Sequence, residues 1–335
     1  MKEQPQRHED TKLESYDYDL PSDRIAQYPV TPRDSSKLMI VSRKGATFDD
    51  HIFRELPDLL KSGDVLIINN TRVLPARLQS NAGEVLLVRA TTENCWDAMV
   101  YPGKHFKPGK EIIFGGTIRA TVLSQSPIGR ILQFHTDVGA LLAEQGAMPL
   151  PPYIGRPAES LDRKRYQTIY AKHAGSVAAP TAGLHFSRKV FAALKENGVK
   201  IVRITLHVGP GTFRPVKDVD IRHHRIYPEY YKCTRSAWKQ IQNAKRVIAV
   251  GTTSTRALET IAATGELEGC TDLFIYPGYQ FQCIDGLLTN FHLPKSSLLM
   301  LVSAFGGYEF IRTAYRHAVQ QNYRFYSYGD AMLIV

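Results

Sequence analysis

Between Arg72 and Met148 the chain changes texture, and that change narrows the folds open to it. Short β-like runs fill the stretch: Leu74–Leu78, Glu84–Ala90, Trp96–Tyr101, Glu111–Phe114, Thr117–Ser124 and Arg130–His135. Gly83, Pro102-Gly103, Pro108-Gly109, Gly115-Gly116 and Gly129 punctuate them. In Thr117–Leu123 the apolar Ile118, Ala120 and Val122 alternate with Thr117, Arg119 and Thr121. A helical period is almost absent. Strands at this spacing with Gly/Pro turns predict a small, closed or nearly closed antiparallel β-barrel.

The flanks read differently. Asp64–Asn69 (DVLIIN) is a continuous apolar strand, as a strand covered on both faces should be. Lys37–Val41 is a second strand, Pro21-Ser22 opens a short helix through Gln27, and Phe53–Lys61 is a short amphipathic helix. Val138–Glu144 is helix-like and leads out of the barrel. From about Tyr153 strands and helices alternate: helix Arg188–Asn197 capped by Ser187, strand Lys200–Val208, strand Lys245–Val250 with a helix through Ala263, helix Tyr308–Asn322 and strand Ala331–Val335. The fold class is therefore α/β. Residues 1–72 and 154–335 form one discontinuous domain, with residues 73–153 inserted as the barrel.

A net charge of +10 that is not gathered in a tail favours a polyanionic partner, nucleic acid above all. Cys95, Cys233, Cys270 and Cys283 are widely spaced and form no CxxC or Cys/His cluster, so no metal site is expected. They read as reduced thiols of a cytoplasmic protein. The longest apolar run, around Leu298–Phe305, is far too short to span a bilayer. The polar first dozen residues read as a disordered tip, and a monomer is the default expectation.

Four loops share one grammar, a strand or its flank followed by a turn rich in small polar residues. In open α/β sheets such turns gather at one edge as a ligand crevice. Ala179–Phe186 (APTAGLHF) offers His185 as an acid/base group beside a helix start. Leu206–Val216 (LHVGPGTFRPV) carries His207 and Thr212 around a Gly-Pro-Gly turn. Gly251–Arg256 (GTTSTR) presents hydroxyls and free amides, without the ending of a Walker loop. The fourth, Asp272–Phe305, reads as a strand at Leu273–Tyr276, an irregular polar loop carrying Asp285, Asn290 and His292, and a helix opening at Ser296 or Ser297. A packed histidine or a bare N-capping turn is the plain alternative for each. Basic strips at Arg214–Arg225 and Arg156–Lys172, interleaved with Tyr166, Tyr170, Tyr227, Tyr230 and Tyr231, suit a phosphate backbone and splayed bases. The residues alone stop at a two-domain enzyme with a polar crevice and a nucleic-acid partner.

The blocks APTAGLHF, LHVGPGTF, GTTSTRALE, DLFIYPG, TNFHLPKSSLLMLVSAF and YRFYSYGDAMLI, in this order, resemble those of the S-adenosylmethionine:tRNA ribosyltransferase-isomerases of queuosine biosynthesis. DLPSDRIAQYP, GDVLIINNTRVLPARL, MPLPPYI and RYQTIYA agree, so the resemblance runs from about Tyr16 to the C-terminus. It implies a discontinuous α/β domain carrying an inserted β-barrel. It also implies transfer and isomerisation of the ribosyl part of S-adenosylmethionine onto 7-aminomethyl-7-deazaguanine at the tRNA wobble position. Epoxyqueuosine-tRNA would form while adenine and methionine leave. The donor would be a consumed co-substrate, with no cofactor and no metal.

On that reading His185, His207 and His292 are acid/base candidates, with Asp272 and Asp285 as orienting or alternative basic groups. Thr181, Thr212, Thr253, Ser254 and Asn290 would hold the donor, and Tyr276 would neighbour its sulfonium. Arg214, Arg222 and His224 would meet tRNA phosphates. Three positions depart from the family pattern. Ile226 and Tyr227 stand where Met and a second His are usual, and Asn70 stands where Asp is common. Two other readings compete: an S-adenosylmethionine-dependent tRNA methyltransferase, which would release S-adenosylhomocysteine, and a non-catalytic RNA-binding protein, which would show no turnover.

Overall fold

The computed structural model describes residues 11–213 and 216–335, the side chains of residues 212 and 213 aside. β1 (Lys37–Ser42) and β2 (Thr47–Ile52) form a hairpin, and α1 (Leu56–Leu59) leads into β3 (Asp64–Asn69). β4 (Thr71–Val73) precedes the barrel strands β5 (Arg77–Ser80), β6 (Gly83–Ala90), β7 (Cys95–Tyr101), β8 (Glu111–Phe114), β9 (Ile118–Gln125) and β10 (Arg130–Phe134). Next come α2 (Val138–Gln145), α3 (Ser160–Arg165), β11 (His173–Ser176), α4 (Arg188–Glu196), β12 (Lys200–Leu206), β13 (Glu229–Lys232) and α5 (Arg235–Gln242). The last third holds β14 (Arg246–Val250), α6 (Thr252–Thr264), β15 (Glu268–Thr271), β16 (Gly286–Asn290), α7 (Ser297–Gly306), α8 (Tyr308–Gln320) and β17 (Ala331–Ile334).

The main sheet runs β15-β13-β12-β3-β14-β16-β17-β1-β2. Its centre is parallel: β3 pairs with β12 on one side and β14 on the other, and β14 pairs with β16. Every residue of β3 is buried, as its unbroken apolar run requires. The inserted segment closes as a barrel in the order β10-β7-β6-β5-β8-β9. In β9 the alternation read from the sequence becomes real geometry: Ala120 and Val122 are wholly buried with Phe114 and Leu132, while Arg119 and Leu123 face out. The fold is thus the α/β domain with an inserted antiparallel barrel that the sequence implies.

Three local readings are corrected. The strand expected at Leu273–Tyr276 lies earlier, at Glu268–Thr271. The Arg256 guanidinium takes the carbonyls of Leu273 and Thr271, so the chain leaves the sheet edge there. Conversely, residues 286–290, read as polar loop, are the buried central strand β16. The short helix expected from Ser22 to Gln27 is one turn, Ser22–Arg24.

Helix starts follow their caps. Ser187 accepts a hydrogen bond from the amide of Val190 and donates one to the Asp34 carboxylate. Ser187→Ala removes both, and we expect a loss of about 1–2 kcal/mol, read as a lower denaturant midpoint with unchanged slope.

Candidate active site

At the carboxyl edge of β14 and β16 lies a cavity of about 260 Å³. Its walls come from elements far apart in sequence: the 178–182 segment, the Gly251 turn, the end of β16 with the 292–298 loop, and Tyr153, Tyr326 and Ser327. Such a crevice at strand carboxyl ends is where open α/β sheets bind ligands.

Gly251 turns the chain from β14 into α6 at φ +89°, a region that favours glycine. No side chain caps α6, so the amides of Thr252 and Thr253, which line the cavity, have no acceptor within the helix. The amino end of α6, the positive end of its dipole, thus borders the cavity. Across the cavity stand Thr289 and Asn290, at the end of β16, and His292.

His292 is held from several sides. Its amide donates to the Tyr315 hydroxyl, its carbonyl accepts from Tyr18, and its Nε2 lies 2.9 Å from Thr289 Oγ1. Its Nδ1 has no hydrogen-bond partner among the described residues, and the ring borders the cavity. Burial pushes its pKa down to about 3, so the imidazole is neutral at physiological pH.

His185 sits behind the wall instead. It stacks on Phe53 at 5.0 Å between ring centres, its Nδ1 is 2.7 Å from Ser36 Oγ, and its Nε2 is 3.1 Å from Asn290 Nδ2. Burial, with Arg324 and Arg33 adding to it, lowers its pKa to about 3. It therefore positions Asn290. The same amide nitrogen also donates to the carbonyls of Tyr326 and Asp330, which fixes the orientation of the amide.

Both histidines make stability pH-dependent. In the unfolded chain they bind protons below about pH 6.5, whereas in the fold they stay neutral down to about pH 3. The unfolded state therefore binds more protons in that window, and stability falls as pH drops from about 6.5 toward 3. We expect H185Q and H292Q each to flatten this acid-side slope in denaturation curves taken across pH.

Thr181, Thr253, Asn290 and His292, all singled out from the sequence, share the cavity. The others lie elsewhere. Ser254 turns its hydroxyl back onto the Val250 carbonyl. His207 packs against Tyr230, with Nδ1 2.8 Å from Thr71 Oγ1, outside the cavity. Burial, then the charge of His173, lowers its pKa. Asp285 is at the amino end of β16, accepting from the Val247 amide. Asp272 is exposed at the end of β15, the sheet's outer strand. Tyr276 packs on Phe274 at 5.3 Å. Thr212 is in the Pro210–Phe213 turn, and Arg214 falls outside the described residues.

Tyr153, Lys295 and Tyr326 are cavity residues that sequence reading did not single out. Lys295 sits at φ +55° and bridges Glu14 and Asp17, which pins the 13–19 segment beside the cavity. Nothing in the local sequence marks these roles; Tyr326 is one aromatic among several in YRFYSYGD.

A wide second groove, about 730 Å³, is lined by Lys217, His223, His224, Arg225 and Tyr227. Tyr227 donates to the Pro127 carbonyl of the barrel at 3.2 Å, so it bridges the two domains rather than reaching the cavity. His224 is 3.4 Å from Asp218, and Arg222 is paired with Asp220. The other basic strip is tied inward: Arg156 grips Asp162, and Arg163 and Arg165 bind backbone carbonyls. Tyr166 and Tyr231 are buried and cannot stack on bases.

A family model described as "Queuosine biosynthesis protein" matches residues 13–334. The S-adenosylmethionine:tRNA ribosyltransferase-isomerase of Desulfitobacterium hafniense is 49% identical, over 97% of this chain and all of the relative. The protein of the same name from Moorella thermoacetica is 50% identical with the same coverage. The crystal structure of an S-adenosylmethionine tRNA ribosyltransferase from Thermotoga maritima superposes with a TM-score of 0.56 at 38% identity, covering 96% of this chain and all of that one.

Proposed function

Because the chain belongs to the queuosine biosynthesis protein family, we propose that it is an S-adenosylmethionine:tRNA ribosyltransferase-isomerase. It transfers and isomerises the ribosyl group of S-adenosylmethionine onto 7-aminomethyl-7-deazaguanine in the tRNA anticodon, releasing adenine and methionine. Near-full-length identity of about half to enzymes of that name carries this reading. The cavity fits it. The donor is a consumed co-substrate that needs an enclosed pocket, and the chain works as a cytoplasmic monomer.

The free amides of Thr252 and Thr253 hold the methionine carboxylate at the start of α6. His292 meets the donor as a neutral imidazole with one free nitrogen, so it does not repel the sulfonium. A carbon beside the sulfonium is acidified. His292 Nδ1 takes its proton, and the donor carboxylate and tRNA phosphates favour the resulting imidazolium. The anticodon base is single-stranded, so it enters without a duplex being opened. The groove of Lys217, His223 and Arg225 receives the tRNA backbone.

Donor labelled separately in the ribose and in the methyl group tests the reaction class. Ribose label in tRNA with methyl label left on free methionine supports ribosyl transfer. Methyl label in tRNA would make the protein a methyltransferase.

A further inference from the structure

Tyr326 is the most unusual residue in the cavity wall. Its φ is +72°, a conformation that bulky side chains rarely adopt. The surroundings impose it. Its amide donates to the Phe291 carbonyl, and its own carbonyl accepts from Gly329 and from Asn290 Nδ2. Asp330 closes the loop by accepting from the amides of Lys37 and Arg324. Gly329 lies so close to the Arg324 carbonyl that a Cβ would stand 2.5 Å from it. The ring packs on Tyr153 with centres 4.2 Å apart. All of this holds the Tyr326 side chain in the cavity wall at 6% exposure, where its hydroxyl has no hydrogen-bond partner among the described residues.

Asn290 repeats the anomaly from the adjoining wall. It is 1% exposed, its amide nitrogen is fully engaged, and its Oδ1 has no partner among the described residues. Buried polar atoms are seldom left unpaired, and those that are call for an explanation. Burial holds the Tyr326 phenol protonated, well above its ordinary pKa. The cavity wall therefore holds one buried donor and one buried acceptor, both unpaired among the described residues. A carboxylate would be repelled by Oδ1, and an ammonium has nothing to accept from the phenol. A purine edge with an amine beside a ring nitrogen satisfies both.

We infer that Tyr326 and Asn290 read the adenine of S-adenosylmethionine, Oδ1 of Asn290 accepting from the 6-amino group and the Tyr326 hydroxyl donating to N7. This rests on the ribosyltransferase reading above. The donor, a free small molecule, can fill the most enclosed wall, whereas the tRNA base arrives on a backbone that stays outside. Tyr326 thus touches the group that must leave, and it sets specificity for the donor's base.

The test is calorimetric binding of S-adenosylhomocysteine, which cannot react, and of its 7-deaza counterpart, to wild type and Y326F. Wild type should bind the natural purine about 5–10-fold more tightly, the worth of one hydrogen bond. Y326F should bind both compounds equally, at the wild-type affinity for the 7-deaza compound. Its denaturant midpoint should match wild type, since the hydroxyl has no partner among the described residues. A preference retained in Y326F overturns the assignment. So does a wild type without preference, which needs no variant to fold. A Y326F defect confined to tRNA affinity also overturns it and gives the hydroxyl to the acceptor base. If wild type binds neither compound, the donor itself is wrong and the functional reading falls with the inference.

Discussion

Alanine at His292 is expected to lower turnover about 100-fold or more, the usual worth of a positioned acid/base group, while tRNA affinity stays near wild type. The reason is local. His292 has a free Nδ1 on the cavity, and its Nε2 is held at Thr289. Its backbone is pinned by Tyr315 and Tyr18, so the loop keeps its path when the ring is removed. His207, by contrast, lies outside the cavity, and H207A should change turnover far less. Equal losses in the two variants would remove His292 from the chemistry. Single-turnover kinetics at saturating donor, with tRNA affinity measured separately, makes the comparison.

The second large effect is on stability. Glu229 and Arg256 form an ion pair in which both side chains are almost fully buried, 2.5 Å apart. Every other polar atom of the pair is also engaged. Glu229 accepts from the Gly209 amide, and Arg256 donates to the carbonyls of Leu273 and Thr271. The pair therefore joins β13, α6 and the turn after β12. Removing one partner leaves a buried charge unmatched, which typically costs about 3–5 kcal/mol. We expect E229A to lose that much, and E229Q less, since glutamine still offers an acceptor. Trp238 lies on α5 and Trp96 in the barrel, so denaturation followed in a W96F background reports the α/β domain alone. A change below about 1 kcal/mol, the scale of an exposed pair, would contradict the assignment.

Much of the architecture could be read from the residues because local and global signals agree. The barrel alternates apolar and polar positions, β3 carries the unbroken apolar run Val65–Ile68, and Ser187 and Ser296 cap the helices they precede. The site was only partly legible, because membership depends on strand polarity and register. Asp285 and Asn290 flank the same strand, but the cavity lies at its carboxyl end, so Asn290 enters it and Asp285 cannot. Val208 faces the cavity and His207 does not, as the two-residue period of an extended chain dictates. β16 itself was hidden: two leucines followed by Thr289 and Asn290 give too short an apolar run to mark a strand. The inverted backbone of Tyr326 depends on the Asp330 and Gly329 contacts, which are tertiary and leave no local signature.

Tyr227 is a specific case of the same limit. In the sequence it stands where the family usually has a second histidine. In the fold it reaches Pro127 of the barrel, so its role is to hold one domain against the other beside the basic groove. Asn70 likewise has a structural partner, accepting from the Thr205 hydroxyl at 2.7 Å. Neither departure touches the cavity that holds His292, Asn290 and Tyr326.

One incubation tests the central claim most directly. Wild-type protein is mixed with S-adenosylmethionine and tRNA bearing 7-aminomethyl-7-deazaguanine, and both free adenine and the mass of the modified nucleoside are measured. Adenine released one-for-one with a nucleoside of epoxyqueuosine mass is the expected result. Folded protein and competent tRNA that yield neither would contradict it.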